Sequence, residues 1–302
     1  MAFALIFAFA ALAVSGCGED DPGEPTPQRF DEERAFLDLE AQVEIGPRPA
    51  GSDENAELVR LISARLRAAG AEDVRVQAPH RNVVATIPGS QAGTVVVGAH
   101  HDTKDIPGFA GANDGASGVA VVLELARVLG ADAPLDGPSV SLALFDAEEA
   151  RGDRPFSEDG TRGSRQYVAL AEAGGRQGTP MLSEIEGMIL FDLVGDCSLE
   201  IPRETGSDER LYALFADAAR EVSGSDSSAP FEGETSAIGD DHVPFLGAGV
   251  PAVDLIDFTY GPGPRPGAYW HTTEDTLDKV CPESLDAVGE AAVRVIEGFA
   301  QG

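Results

Sequence analysis

Five short segments of this 302-residue chain carry side chains able to hold a metal ion. They are His100-His101-Asp102, Asn113-Asp114 within Gly111-Ala112-Asn113-Asp114-Gly115-Ala116-Ser117-Gly118, Asp146-Ala147-Glu148-Glu149, Phe191-Asp192 and Trp270-His271. Imidazoles and carboxylates with no cysteine among them point to a catalytic zinc site, which keeps a coordination position open, rather than to a closed structural one. A lone histidine or aspartate near a strand end is ordinarily a capping or surface group. Here four of the segments come after apolar, β-rich runs and Asn113-Asp114 stands at the start of a helix, which a scatter of surface groups does not explain.

The elements that position these residues are legible as alternating patterns. Apolar runs at 94–99, 139–145, 187–193 and 249–258 read as buried strands, and shorter strands fall at 73–77 and 82–87. Helices are expected at 31–43, from a Ser52 or Asp53 cap to Ala69 with Gly70 closing it, and at 119–129, 163–173, 207–222 and 282–299. Strands alternating with helices imply a single three-layer αβα domain with a mostly parallel mixed sheet. Ligand-type residues then gather at the carboxyl ends of strands, where open α/β sheets place their sites.

Composition bounds the partners. A formal charge of −31 excludes nucleic acid and anionic membrane surfaces, which need basic patches. The acidic balance is compatible with attraction of cationic substrates such as peptide amines, and more simply with solubility. Residues 1–14 are continuously apolar, and Val14-Ser15-Gly16-Cys17 reads as a bacterial lipobox, although no Lys or Arg precedes the run. The expected organisation is a lipoprotein signal peptide at 1–16, an acidic, Pro-rich tether at 17–29 with a lipid anchor at Cys17, and a catalytic domain at 30–302. An ordinary signal peptide or single anchor is the alternative, and either exports the domain. Cys197 and Cys281 remain in the mature chain, fit no zinc motif, and are left as structural or free; an exported pair is able to form a disulfide if the two Cα atoms come close enough.

The order His-x-Asp, Asn-Asp-Gly-Ala-Ser-Gly, Glu-Glu, Asp and a late His resembles the zinc aminopeptidase superfamily of the M28 type. Within it the chain is more similar to the animal-type glutaminyl cyclases. The resemblance implies that Asp114, Glu149 and His271 bind zinc and that His100 and Asp192 occupy a second metal position. One zinc is held in the cyclases and two in the peptidases, so the ligand set does not count the ions. It further implies that Glu148 is the general acid/base, while Asp102 orients His100 and His101 is a filler. Gly239-Asp240-Asp241-His242-Val243-Pro244-Phe245 matches the cyclases, where the peptidases commonly carry Ser-Asp-His; Asp240 then joins Asp192 in a catalytic hydrogen-bond network. Trp270 is a candidate wall for the glutamine side chain, and Phe156 stands where the animal enzymes place a pocket Trp. The expected partners are peptides or proteins with a free N-terminal glutamine. A di-zinc aminopeptidase is the alternative. A non-catalytic, surface-tethered binding module is a third reading, disfavoured because no ligand position has been lost.

Overall fold

Residues 28–299 are described by a computed structural model of the chain. In chain order the elements are α1 (Glu32–Ile45), α2 (Asp53–Ala68), β1 (Glu72–Val76), β2 (Val83–Ile87), β3 (Thr94–His100), α3 (Ala116–Ala131), β4 (Ser139–Phe145), α4 (Phe156–Asp159), α5 (Arg162–Glu172), β5 (Ile185–Asp192), β6 (Arg203–Glu204), α6 (Glu209–Ser223), β7 (Glu234–Thr235), α7 (Val243–Gly247), β8 (Ala252–Ile256) and α8 (Pro282–Gly298). The expected signal peptide and Cys17 lie outside the described residues. So does most of the expected tether, whose last two residues, Gln28 and Arg29, pair with Asp286 and with Asp132 and Glu297. No described helix is long and apolar enough to cross a membrane.

Six strands form one mixed sheet in the order β1-β2-β4-β3-β5-β8. The last four are mutually parallel, and β1 and β2 run antiparallel at one edge. Alternate residues of each strand serve opposite faces, as the pleat requires. Val95, Val97 and Ala99 pack with α1, α2, α3, α6 and α8, whereas Val96 packs with Tyr167 and Val168 of α5 and Phe245 of α7. The three-layer αβα domain with a mostly parallel mixed sheet is the architecture expected from the sequence.

Helix α3 is apolar nearly all round because it lies between the sheet and the outer helices α1 and α8. Its one acid, Glu124, is fully buried and is held by Arg34 and Arg127. The helix starts at Ala116, three residues before the expected 119, because Ala116-Ser117-Gly118 offer no apolar signal. Strand β8 is shorter than the expected 249–258. Beyond Ile256, Asp257 turns the chain by accepting the Thr259 and Glu200 amides. The Ser52 hydroxyl accepts the Asn55 amide and is the cap of α2. The two-residue strands β6 and β7 and the short helices α4 and α7 are too brief for a periodic pattern to reveal.

Cys197 and Cys281 are joined in a disulfide. It ties the segment after β5 to the start of α8, and main-chain bonds on either side reinforce the seam: Cys197 N–H to the Lys279 carbonyl, and Cys281 N–H to that of Gly195. The bond closes a loop with a sequence separation of 84. For a loop of that length, chain entropy in the unfolded state makes the bond worth about 4 kcal/mol. The double variant Cys197→Ser/Cys281→Ser is therefore expected to lose roughly that much stability in urea unfolding. A loss below about 1 kcal/mol would show that the bond does not restrain the chain in this way.

Candidate active site and metal centre

The sheet order reverses at β3: the chain crosses from β3 to β4 on one side and later to β5 on the other. Such switch points open a crevice beyond the carboxyl ends of the strands. His100 ends β3, the Asp146–Glu149 turn follows β4, Asp192 ends β5 and Asp114 stands two residues before the start of α3. His271 comes from the loop between β8 and α8.

Each residue of the 113–118 turn has a physical task. The Asn113 carboxamide oxygen accepts the Gly195 amide at 2.7 Å, and the Ser117 hydroxyl accepts the Val194 amide at 3.1 Å, so the turn is bound to the segment just past Asp192. A Cβ at position 115 would stand 2.6 Å from the His100 ring, and one at 118 would stand 2.2 Å from the Phe191 carbonyl oxygen. Glycine at these two positions lets Asp114 approach His100 and lets α3 meet the end of β5. Asp275 accepts the Asn113 and Asp114 amides at 2.8 and 3.1 Å and the Tyr260 hydroxyl at 2.7 Å. The buried Arg48 guanidinium donates to the Ala110 and Gly111 carbonyls from the other side.

Two triads of ligand atoms result, with Asp114 common to both: Asp114, Glu149 and His271, and His100, Asp114 and Asp192. His271 Nε2 lies 3.0 Å from Glu149 and 3.4 Å from Asp114 Oδ2. His100 Nε2 lies 3.2 Å from Asp192 and 3.3 Å from Asp114 Oδ1. Thus the two oxygens of Asp114 face different triads. Asp114 Oδ2 is buried without a hydrogen bond, and the donor atoms of each triad lie within 4.8 Å of one another. Imidazole nitrogens and carboxylate oxygens converging in this way fit a divalent cation. Burial alone would raise Asp114, but the two imidazoles overcome it and hold the carboxyl well below its ordinary range. Asp114 and Glu149 in turn raise His271 to about 9 against the effect of burial.

Asp102 holds His100 as expected and has a second task. His100 Nδ1 is 3.1 Å from the Asp102 main-chain carbonyl, while the Asp102 carboxylate stands 3.8 Å from the same nitrogen. The carboxylate also accepts the amides of Glu148 and Glu149 at 3.0 and 3.3 Å. It fixes the turn that separates the two neighbouring glutamates. His101 is buried away from the triads, with Nε2 3.2 Å from the Arg81 carbonyl.

A cavity of about 640 Å³ opens over the site and takes in Asp114, Glu148, Glu149, Asp192, Asp240 and His271. Trp270 and Phe156 also line it. The Trp270 ring stacks on His271 with centroids 3.7 Å apart and meets Phe258 edge-on at 5.4 Å. Burial, and then the charges of Glu149, Asp241 and Asp102, push Glu148 well above the usual carboxylate range, with His100 opposing. Burial likewise raises Asp240, helped by Asp254, Asp192, Glu148 and Asp241; its Oδ2 has no hydrogen-bond partner. Asp241 is not a free acid of the cavity: Ser164 donates to it. His242 points away, 3.2 Å from Glu204 and 3.5 Å from Asp254.

Several residues of the site escaped the sequence. Lys104 lines the cavity and pairs with Glu149 at 3.1 Å; its place two residues after Asp102 was an available signal. Asp275, four residues past His271, was another. Arg48 lay in a segment legible only as turn-rich, since nothing local marks an arginine that bonds to carbonyls distant in sequence.

The family model of peptidase family M28 matches residues 82–296, and the chain belongs to that family. Within it the similarity is to glutaminyl cyclases. The crystal structure of Acidobacteriales bacterium glutaminyl cyclase superposes with a TM-score of 0.80 at 31% identity, covering 94% of this chain and 99% of that one. The glutaminyl-peptide cyclotransferase of Drosophila melanogaster is 32% identical over 222 residues, 66% of this chain and 59% of the relative. The glutaminyl-peptide cyclotransferase-like protein of Mus musculus is 28% identical over 275 residues, 79% and 68% respectively.

The buried acids around the site set a pH dependence. Burial raises Asp254 from 3.8 to about 8 and Asp257 to about 7; burial and the neighbouring Asp114 raise Asp275 to about 6. In the unfolded chain each would titrate near its ordinary 3.8. Between these limits the folded state binds more protons at these groups than the unfolded state, so their contribution to stability is complete at low pH and declines as pH rises. Glu204, depressed to about 2 despite burial by His242 and nearby donors, contributes a constant amount throughout that window. The Tm of chelator-treated protein is expected to fall steadily from about pH 5 to about pH 8; a flat or rising profile would show that these acids are ionised in the fold.

Proposed function

We infer that this chain is a zinc-dependent glutaminyl-peptide cyclotransferase, converting the N-terminal glutamine of peptides and proteins to pyroglutamate with release of ammonia. The observation that carries the inference is Asp240, a buried carboxyl with one unpartnered oxygen, lining the same cavity as Glu148 and Asp192. Hydrolysis of a peptide bond has no evident use for a third acid there. Transfer of protons between two nitrogens of one substrate does.

Asp114, Glu149 and His271 would hold the zinc, which when bound supplies a Lewis acid for the glutamine γ-carbonyl. In the reaction the substrate's α-nitrogen bonds to its own side-chain carbonyl carbon, Cδ, and the bond from Cδ to the side-chain nitrogen Nε2 breaks, releasing ammonia. Glu148, with its raised proton affinity, takes a proton from the attacking amine and returns it to the departing nitrogen. Asp192 accepts from the side-chain amide, and Asp240, whose proton affinity is raised by burial and its acidic neighbours, shares a proton within the same group. Trp270 and Phe156 confine the side chain so that the amine lies near its target, and proximity supplies much of the rate of a five-membered ring closure.

One observation favours a second reading, a two-metal aminopeptidase: Asp114 presents an oxygen to each of two triads. Mass spectrometry of a Gln-initiated peptide incubated with the zinc-supplemented domain separates the two. The expected product is lighter by one ammonia. Its formation should fall at least about a hundredfold in Glu148→Gln, the scale of general acid/base catalysis, and Asp240→Ala should also lose most turnover. Free glutamine, or trimming of Leu-initiated peptides together with two zinc ions per chain, would establish the peptidase. His100→Ala is expected to remain partly active as a cyclase and to be inactive as a peptidase.

We also propose export and lipidation at Cys17. A disulfide between Cys197 and Cys281 belongs to an oxidising compartment and supports export. Incorporation of labelled palmitate by the full chain, abolished in Cys17→Ala, is the expected outcome; a soluble, unlabelled product would exclude the anchor.

A further inference from the structure

The cavity is far larger than a glutamine side chain and falls within the range of sites that enclose drug-sized ligands. Its floor is made of buried acids. Its exposed charged lining has the opposite sign: Arg154 and Arg265. That is unexpected in a chain with 52 acidic and 21 basic residues.

Arg265 is exposed, and no ion pair engages it among the described residues. It sits on a turn closed by the Gly267 amide bonding to the Pro264 carbonyl at 3.0 Å. The base of that loop is tied by Tyr269 N–H to the Tyr260 carbonyl and by the Tyr260 hydroxyl to Asp275. The guanidinium is therefore carried on a braced turn. Arg154 stands in a cluster of guanidiniums: the buried Asp159 is the shared partner of Arg151, Arg154 and Arg162, at 2.5, 3.2 and 2.8 Å, so one carboxylate serves three arginines. The acids of the same loop, Asp153 and Glu158, are exposed and do not line the cavity.

We infer that Arg265, with Arg154, forms a carboxylate-binding subsite at the cavity mouth that selects substrates with an acidic group just beyond the N-terminal glutamine. The inference rests on the cyclase activity proposed above. A glutamine seated among Glu148, Asp192 and Asp240 directs the rest of its peptide outward, past the only exposed charged groups of the lining. The carboxylate comes either from an Asp or Glu side chain at the second or third position or from the C-terminus of a very short peptide. Guanidinium groups suit it because they bind carboxylates through paired N–H donors. The overall charge of −31 repels anionic peptides at long range, so the subsite acts after encounter and chiefly on KM.

The test compares kcat/KM for ammonia release from four peptides: Gln-Glu-Ala and Gln-Gln-Ala, each with a free and an amidated C-terminus. The zinc-supplemented enzyme is compared with Arg265→Gln and Arg265→Glu. The expected preference for Gln-Glu-Ala-amide over Gln-Gln-Ala-amide is roughly fivefold, the scale of a solvent-accessible charge-assisted contact, and it shrinks with added salt. Arg265→Gln should abolish it through KM, and Arg265→Glu should reverse it. A preference seen only for free over amidated C-termini, and lost in Arg265→Gln, assigns the subsite to the terminal carboxylate. Equal turnover of all four peptides, or a preference unchanged in both variants, overturns the subsite while leaving the cyclase intact. Absence of turnover with every peptide overturns the cyclase and the subsite together. Arg265 is exposed and unpaired, so unchanged Tm values are expected to accompany the kinetic change.

Discussion

Carboxylates withdrawn from water repel one another, and each is costly to ionise unless a positive charge or a donor compensates it. Asp114, Glu148, Glu149, Asp192 and Asp240 share one cavity, with two imidazoles and the Lys104 ammonium near them. That imbalance governs much of the rest of the structure. The acids nearest the histidines have ligand geometry for a cation. Those farther off, Asp240 above all, are left with a raised affinity for protons. A divalent cation at the triads and a proton on Asp240 would each relieve the same shortage of positive charge.

Holding like charges together requires a frame that cannot relax. The frame is the sheet's switch point, reinforced by groups that are not themselves ligands. Asp275 binds the turn that carries Asp114, Asn113 and Ser117 join that turn to the segment after β5, and Asp102 holds the Glu148-Glu149 turn through its amides. The Cys197–Cys281 bond closes the same seam from outside. Every one of these contacts joins residues distant in sequence, so loss of any one is felt at several ligands together.

The acidity of the chain acts differently on different scales. Summed over the whole molecule it is a strong negative field. At the cavity mouth the exposed charged groups are arginines, and one carboxylate, Asp159, is shared among three guanidiniums. Net charge therefore governs solubility and encounter. What the site recognises at contact depends on the few groups that line it.

Sequence by itself determined the parallel core of the sheet, because strands buried on both faces are continuous apolar runs. It also placed the candidate site residues at the ends of those runs: His100 after 94–99, Glu148 and Glu149 after 139–145, Asp192 near the end of the run at 187–193. Short elements such as β6 and α7 stayed hidden, being shorter than one period of any pattern. Only the tertiary structure decided which atoms meet. It divided the two oxygens of Asp114 between two triads, gave Asp102 the Glu148 and Glu149 amides besides His100, paired the cysteines and brought Lys104, Asp275 and Arg265 to the site. The physical reason is range. Propensity and periodicity act between neighbours in the chain, whereas coordination, hydrogen bonding and charge compensation act between neighbours in space.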